Sequence, residues 1–589
     1  MASFWGELKR RNVARVAVAY AIVSWLILQL TDVLIPLLGL PEWVGRFVFL
    51  LLVIGFLLAL ILSWAYELTP EGVKLEKHVD RSQSISHITG RKLDFIIIGV
   101  LMIALLMFAL DKFVWTTDVA PVETANTQQR TIAVLSFINM SSDPEQEYFS
   151  DGLAEELINL LARISELRVT SRSSAFFYKG KDFTIADVGR DLEVGHVLEG
   201  SVQRVGDGVR INVQLIDTDT DESLWAETYD RELTTENIFA IQREIATSIA
   251  GELQATLSLE EVARLAVMPT QSTIAYDLYV RGRYFWNQRT EEGFNRALEY
   301  LNQAIEEDPN YALAYAGVAS IYVLMGNENY SWSHPRDSYP KAQAAARRAL
   351  ELDDTLAEAH SVLGEALLRY DWDFISADRE HQRAIALNPN YATGHQWYSH
   401  YLLPMGREKE SLAHSLRALE LDPLNLIINL HLGWHYFYVG ENELAIEQLQ
   451  QTLELSPTFI VANLFLGQVY EQEMRLEEAI EQFERAADLS GRNPVHLAAL
   501  AHAYGVSGRQ KDAETLLKEL LSSEHYVPSY EIAVIYAGLD RQDEALTWLE
   551  RAYEEKDSSW IVDVELDPRF QQLHSASRFQ SLTRRLGLP

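Results

Sequence analysis

The chain contains no cysteine among its 589 residues. This absence excludes disulfide bridges, cysteine-ligated zinc, iron–sulfur clusters and a thiol nucleophile. It leaves the cellular compartment open, because a chain of this length can bury a hydrophobic core that is stable without cross-links.

Basic side chains are scarce after the first 115 residues. The segment 116–589 carries 39 Lys and Arg against 75 Asp and Glu, whereas residues 1–115 carry 11 and 9. Nucleic-acid binding depends on neutralising phosphates with basic side chains, so this acidic segment predicts that the protein does not bind nucleic acid directly. The charge favours either a basic partner or simple solubility.

Three long apolar runs predict an α-helical transmembrane module over residues 1–115, with spans at about 16–38, 47–66 and 95–115. The third run begins with Phe95 to Leu110, which contains neither a charged residue nor a proline. In a bilayer such a run satisfies its backbone hydrogen bonds as a helix. A cleaved signal peptide is the weaker interpretation of the first run, because that run is too long and a second span follows at once.

Basic residues in the short loops predict the orientation of the spans. Four Lys and Arg precede the first span, one lies between the first and the second, and five lie between the second and the third. Because basic loops stay in the cytoplasm, we expect a cytoplasmic N-terminus and periplasmic residues 116–589, on the inner (cytoplasmic) membrane of a bacterium. The polar stretch 116–130 is predicted to be a linker.

Residues 131–258 predict a small α/β sandwich domain. An apolar run of β-branched character at 131–137 indicates a buried strand, and apolar residues at helical spacing follow at 153–164. Two alternating segments, 196–204 and 209–217, flank a Gly-Asp-Gly turn that is typical of a hairpin. Helices thus alternate with strands before a meander of strands.

No motif in this domain predicts a catalytic residue, a cofactor or a metal ion. The acidic run 217–222 begins like a calcium loop, but Glu222 and Thr228 stand where such a loop needs Gly and Glu. His196 is predicted to be a structural strand residue. We therefore expect a protein that is not an enzyme, and the sequence leaves open whether the domain binds a small molecule or only another copy of itself in a homo-oligomer.

A repeat dominates the rest of the chain. Pro389, Pro423 and Pro457 stand 34 residues apart, as do Gly433 and Gly467. A period of about 34 residues is typical of tetratricopeptide repeats. It predicts an all-α superhelical solenoid of six to eight repeats over 272–560 and a C-terminal cap over 561–589, with small residues where the two helices of a repeat cross.

Two stretches of the α/β segment carry a family resemblance: IAVLSFINMSSDPEQEYFSDGLAEELINLLARI and VGHVLEGSVQRVGDGVRINVQLIDTDTDESLWAETYDRE. They resemble the TolB-amino-terminal-like (FlgO-like) domain that accompanies tetratricopeptide repeats in bacterial membrane proteins. The N-terminal SFWGELKRRNVARVAVAYAIVSWLILQLTDVL is similar to the membrane module of that group, and the final RFQSLTRRLGL to its usual ending. Relatives of this kind include CadC-like and cyclase-linked regulators, so the resemblance implies a sensory or scaffolding periplasmic region and no catalytic residues.

In the repeat family that the resemblance names, the first helix of each repeat lines a concave groove. Aromatic residues with Arg and His suit a peptide-binding groove, and the alternative is that the aromatic residues belong to the core. Carried over by position, the partner-binding groove is formed by Arg283, Trp286, Tyr322, Glu365, His400, Trp434, Tyr438, Gln468 and His502.

The sequence therefore predicts a membrane-anchored periplasmic scaffold or sensor that binds a protein or peptide through its repeats. The alternative is a signal-transducing subunit that relays a periplasmic state to a cytoplasmic regulatory partner, of the transcriptional or cyclase type. The basic loop from Gly72 to Lys92 would be the contact in that case.

Overall fold

The computed structural model describes residues 130–328 and 333–589, two short strands between residues 66 and 75, and eight single helical positions between residues 17 and 56. Apart from those positions, the predicted spans at 16–38, 47–66 and 95–115 and the predicted linker at 116–130 lie outside the described residues. Among the residues described, no helix combines the length and the apolar composition that a membrane crossing requires.

The chain divides into two compact units, residues 1–123 and 124–589. In the first unit, β1 (Tyr66–Thr69) and β2 (Gly72–Leu75) pair in an antiparallel hairpin. The second unit holds the α/β domain and the helical array.

A six-stranded sheet organises the α/β domain. Its order is β5-β3-β6-β7-β8, and the short β4 pairs with β6 beyond the end of β3. β3 runs parallel to β5 and β6, whereas β6, β7 and β8 form an antiparallel meander. The strands are β3 (Thr131–Val134), β4 (Ile138–Asn139), β5 (Arg168–Val169), β6 (His196–Val205), β7 (Gly208–Asp217) and β8 (Ser223–Glu232).

Helices cover both faces of the sheet at β3, all four residues of which are buried. Successive residues of a strand point to opposite faces, so the apolar side chains of β3 need cover on both. Ile132 and Val134 of β3 pack with the helices at 147–161 and 235–252, whereas Ala133 packs with the helix at 185–192. Gly206 adopts φ 58° in the β6–β7 turn, a conformation that favours glycine. The predicted α/β sandwich is therefore confirmed. Its helices, with the connector that follows them, are α1 (Glu147–Leu161), α2 (Arg172–Ala175), α3 (Ile185–Leu192), α4 (Thr235–Glu252) and α5 (Leu259–Leu265).

Helical hairpins make up the array, and the described residues contain eight of them. The predicted all-helical solenoid is thus confirmed. The hairpins are α6 (Thr273–Trp286) with α7 (Glu291–Glu307), α8 (Ala312–Met325) with α9 (Pro335–Leu352), α10 (Ala357–Ala366) with α11 (Phe374–Leu387), α12 (Ala392–Leu402) with α13 (Glu408–Leu421), α14 (Leu426–Tyr438) with α15 (Asn442–Leu455), α16 (Ile460–Gln472) with α17 (Leu476–Leu489), α18 (Pro494–Val506) with α19 (Gln510–Leu521), and α20 (Ser529–Gly538) with α21 (Gln542–Glu555).

Two 3-10 turns, Trp560–Asp563 and Pro568–Leu573, and the last helix α22 (Ser577–Leu586) follow the eighth hairpin. We call residues 556–588 the C-terminal segment. Phe570, Phe579 and Leu586 of this segment bury themselves against the eighth hairpin, so the segment covers an apolar face that has no next repeat to pack on.

Glycines stand where the two helices of a hairpin cross most closely. A Cβ added at Gly433 would lie 2.7 Å from Leu449, and one added at Gly467 would lie 2.6 Å from the ring of Phe483. Ordinary van der Waals contact needs a longer distance, so the backbone approach excludes a side chain at these positions. This is the physical reason for the glycine that recurs with the repeat.

The α/β domain and the first hairpin share one hydrophobic core. A continuous cluster of buried side chains runs from Ile132 of the sheet through Leu157 of α1 to Tyr276 and Phe294 of the first hairpin. Gly152 of α1 lies directly against Val280 of α6. The two parts are therefore packed together rather than joined by a linker alone.

We predict that Gly467→Ala destabilises the full-length chain by about 1–2 kcal/mol. The added methyl group would overpack the fully buried Phe483, and this cost exceeds the gain in helix propensity. Chemical denaturation followed by circular dichroism measures the change.

The matched control is Gly251→Ala in α4, where an added Cβ would meet no atom within 4 Å. This exchange should be neutral or stabilising by up to about 1 kcal/mol. Equal effects of the two exchanges would contradict the close-crossing explanation.

Candidate partner-binding site in the repeat array

The nine predicted groove residues all lie on the first helix of a hairpin. The structure distributes them over seven helices of the array: Arg283 and Trp286 on α6, Tyr322 on α8, Glu365 on α10, His400 on α12, Trp434 and Tyr438 on α14, Gln468 on α16 and His502 on α18. The nine residues fall into three groups, which differ in how they are packed. The first group is Arg283, Trp286 and Tyr322, the middle group is Glu365, His400, Trp434 and Tyr438, and the third group is Gln468 and His502.

The middle group, on α10, α12 and α14, forms one continuous set of contacts. His400 Nδ1 lies 3.8 Å from Glu365 Oε1, and the ring of His400 lies 5.4 Å from that of Trp434. The rings of Trp434 and Tyr438 are 4.8 Å apart. Glu365 and Trp434 are buried, so little of this surface is open to a partner.

Arg369 is the residue that the sequence prediction missed in this group. Its guanidinium Nε lies 3.1 Å from Glu365 Oε1, and its Nη1 lies 2.5 Å from Asp563 Oδ2 of the C-terminal segment. All three side chains are buried. Burial alone would raise the pKa of Glu365, but Arg369 and His400 outweigh it and lower this pKa to about 2. The pair therefore stays charged, and the chain's own C-terminal segment fills this level of the groove.

Further contacts hold the C-terminal segment and the eighth hairpin against the second and third hairpins. Lys556 Nζ donates to the carbonyl oxygen of Tyr370 at 3.0 Å, and the rings of Trp372 and Tyr553 stack at 4.8 Å. The backbone N–H of Trp560 donates to Glu328 at 3.2 Å. We call this set of contacts, together with the Arg369–Asp563 pair, the closure contact.

A hydrogen-bonded chain of histidines continues from His400. His431 Nδ1 lies 2.9 Å from His400 Nε2, and His431 Nε2 lies 2.7 Å from the hydroxyl oxygen of Ser399. Burial lowers the pKa of His431 well below its ordinary value, so this imidazole is neutral at pH 7. Ser399 is fully buried and out of reach of a substrate. The chain therefore fixes neighbouring helices and does not form a nucleophilic site.

The first group lies nearer to solvent. Arg283 is buried in an ion pair with Glu155 of α1 at 2.8 Å and lies 4.4 Å above the ring of Trp286. The guanidinium of Arg289 lies 3.9 Å from the same ring. Trp286 is half-buried, and Tyr322 is half-buried as well. These two aromatic side chains are therefore partly open to a partner.

The third group is packed into the array. Gln468 and His502 are buried. His502 Nδ1 lies 2.9 Å from Glu471 Oε1, so this histidine has a partner in the next-but-one helix rather than in the middle group.

The groove prediction missed Arg369 and Asp563, and the sequence contained a signal for the first of them. Arg369 follows Glu365 at the spacing of four residues that brings side chains together on a helix. Asp563 had none, because it lies 194 residues from Arg369 in the sequence.

Two family models match parts of the chain. Residues 128–248 match the second domain of HilA/YgeH-like transcriptional regulators, and residues 412–494 match a tetratricopeptide-repeat model. The array is a tetratricopeptide-repeat domain. The predicted repeat type is thereby confirmed.

Curated relatives match the chain over shorter stretches. Putative adenylate cyclase 3 of Rhizobium meliloti (strain 1021) is 40% identical over 237 residues, which are 40% of this chain and 40% of that protein. Transcriptional regulator HilA of Salmonella typhimurium is 26% identical over 161 residues, 27% of this chain and 29% of the regulator. The chain thus spans less than half the length of each of these relatives.

A solved Pseudomonas aeruginosa pilF structure is 21% identical and covers 36% of this chain and 96% of its own, with a TM-score of 0.27. A TM-score this low supports no conclusion about this chain.

The prediction that the protein is not an enzyme stays a prediction, because one relative is named as a cyclase.

A buried carboxyl group lies on the eighth hairpin, which takes part in the closure contact. Glu531 of α20 is fully buried, and neither of its carboxylate oxygens has a hydrogen-bond partner in the part of the chain that the structure describes. Burial raises the pKa of Glu531 to about 8, with a further rise from Asp567 and an opposing effect of Arg569. The carboxyl is therefore largely protonated at neutral pH.

We predict that Glu531→Gln makes the chain more stable at high pH. The pKa of this group rises from 4.5 to about 8 on folding, so its stabilising contribution is complete below pH 4.5 and is lost as the pH rises through 8. The amide mimics the protonated acid, and the variant should gain up to about 5 kcal/mol over the unaltered chain at high pH and nothing near pH 4.5.

Denaturation of the full-length chain at a series of pH values measures this difference. Glu544→Gln on α21, where the side chain is exposed, provides the control and should change the free energy of unfolding by no more than about 0.5 kcal/mol. A stability difference for Glu531→Gln that is the same at every pH would contradict the prediction.

Proposed function

We propose that this protein is a membrane-anchored scaffold or sensor that binds a protein or peptide partner through its tetratricopeptide repeats. The observation that carries the proposal is Trp286, a half-buried ring held between Arg283 and Arg289. Tyr322 on the next hairpin, with Lys341 Nζ 5.2 Å from its ring, extends the same surface. Trp, Tyr and Arg are the residues that contribute most to binding in protein interfaces.

The position of the closure contact supports a partner site at Trp286 and Tyr322, in the first hairpin and in the part of the second hairpin that precedes Glu328. The middle of the predicted groove is filled by Asp563 and its neighbours, whereas Trp286 and Tyr322 precede the residues that the C-terminal segment contacts. A partner would therefore bind there without displacing buried charges. The remaining groove positions, Glu365, His400, Trp434, Tyr438, Gln468 and His502, act in this proposal by holding the array in shape.

The membrane and compartment belong to the same proposal. The three apolar runs and the basic loops between them support anchoring in the inner membrane of a bacterium, a cytoplasmic N-terminus and periplasmic residues 116–589. The likeness of residues 131–258 to TolB-amino-terminal-like domains supports a sensory role for the α/β domain.

A second candidate function is signal relay to a cytoplasmic regulatory partner. The match of residues 128–248 to a regulator domain and the identity to a protein named as an adenylate cyclase favour it. The loop that follows the second predicted span, which begins with the β1–β2 hairpin, would then contact the partner.

We predict that the double exchange Trp286→Ala and Tyr322→Ala lowers partner capture by about tenfold or more, because it removes two aromatic anchors. The measurement is quantitative mass spectrometry after crosslinking in intact membranes and purification of the full-length chain. Ile375→Ala, at an 85% exposed position on α11, provides the control and should leave capture unchanged. Equal capture by both variants, or recovery of no specific partner, would count against the proposal.

We predict high alkaline phosphatase activity when the enzyme is fused after residue 120, because that enzyme is active only in the periplasm. A fusion after residue 80, in the loop between the second and third predicted spans, should have low activity. Low activity of the fusion at residue 120 would overturn the proposed compartment.

A further inference from the structure

A cavity of about 420 Å³ lies where the α/β domain meets the first hairpin. Phe149 of α1 and Arg204 of β6 form one side, and Ile238 of α4 lies beside them. Asp277 and Arg281 of α6 form the other side. This volume is in the range that holds small organic ligands, roughly 300–1,000 Å³.

Two guanidinium groups share a single carboxylate at this cavity. Arg281 Nε donates to Asp277 Oδ2 at 2.9 Å, and the Tyr148 hydroxyl donates to Asp277 Oδ1 at 2.6 Å. Arg204 Nη1 lies 3.4 Å from the same Oδ1, and its other contacts, with Gln146 at 3.2 Å and with Tyr148 at 3.5 Å, are to neutral groups. Arg281 is thus neutralised by Asp277, and Arg204 is the cation with the weaker counter-charge.

Apolar side chains line the rest of the cavity. Leu233, Ile238 and Leu278 contribute aliphatic surface, and Tyr276 and Tyr300 contribute aromatic rings. This composition suits the apolar body of a ligand, because small-molecule sites combine a mainly apolar lining with a few polar groups that fix orientation.

Both cations are within reach of solvent. The side chain of Arg204 is 28% exposed and that of Arg281 is 35% exposed. Ile274, which also lines the cavity, leaves 60% of its surface open. An entering molecule could therefore cover apolar surface while its charged end meets Arg204.

We propose that this cavity binds a small organic monocarboxylate with an apolar body. The ligand carboxylate would accept hydrogen bonds from the guanidinium of Arg204, whose planar fork matches a carboxylate. One carboxylate balances the one surplus positive charge, so a single negative charge is preferred over none or two. The apolar body would lie against Ile274 and Leu278.

Such a ligand would contact both the α/β domain and the first hairpin. Because it binds only where the two parts are packed together, it stabilises their interface by mass action. The site is independent of the partner surface at Trp286 and Tyr322, so the two proposals fail or succeed separately.

Isothermal titration calorimetry of the full-length chain with octanoate and with 3-phenylpropanoate tests the proposal. At least one of the two acids should bind. Its uncharged amide should bind at least about tenfold more weakly, because the charge-assisted hydrogen bonds are lost. No binding of either acid up to about 10 mM, or equal binding of acid and amide, would overturn the proposal.

Arg204→Met removes the charge and keeps an unbranched apolar stem, and it should weaken binding of the acid about tenfold. Arg210→Met on the neighbouring strand β7, where the side chain is 53% exposed and pairs with Asp230, is the matched control and should bind as the unaltered chain does. Arg204→Lys should restore part of the affinity, which separates loss of charge from loss of folding. Unchanged affinity in Arg204→Met would overturn the assignment of the carboxylate to this residue.

Discussion

The buried charge of Arg369 is the constraint on which the shape of the array depends. A guanidinium without water around it needs counter-charges, and Glu365 and Asp563 supply them from the third hairpin and from the C-terminal segment. Removing Arg369 would leave both buried carboxylates without the guanidinium that they share. Because the partners come from distant parts of the sequence, this local electrostatic requirement ties one region of the solenoid to another.

The α/β domain is fixed by the same kind of requirement. Glu155 of α1 and Arg283 of α6 form a buried ion pair, and burial makes each of them depend on the other. Around this pair, apolar side chains of both parts form one core. At a second point, the buried Asp422 of the fourth hairpin accepts hydrogen bonds from the backbone N–H and the hydroxyl of Ser174. The domain therefore lies against the array at two separate positions.

Local chemistry made much of this structure predictable. The 34-residue spacing of Gly433 and Gly467 reports a helix crossing that tolerates no side chain, and the Gly-Asp-Gly turn reports a tight hairpin. Both signals are visible in the sequence, because each arises within one hairpin or recurs with the repeat. The position of the groove residues on the first helices followed from the period. The burial of Glu365 beside Arg369 did not, because it involves Asp563, and no local pattern links that residue to Arg369. The cavity at Arg204 escaped prediction for the same reason, since its walls come from a strand and a helix of different domains.

Closure of the array has a consequence for how such a chain can change in evolution. An open solenoid can gain or lose a repeat, because each repeat contacts only its neighbours. Here Arg369 and Asp563, 194 residues apart, must meet with a fixed number of repeats between them. One more or one fewer repeat would rotate the C-terminal segment away from its counter-charge. The number of repeats is therefore part of the fold, and the array should unfold as a unit instead of repeat by repeat.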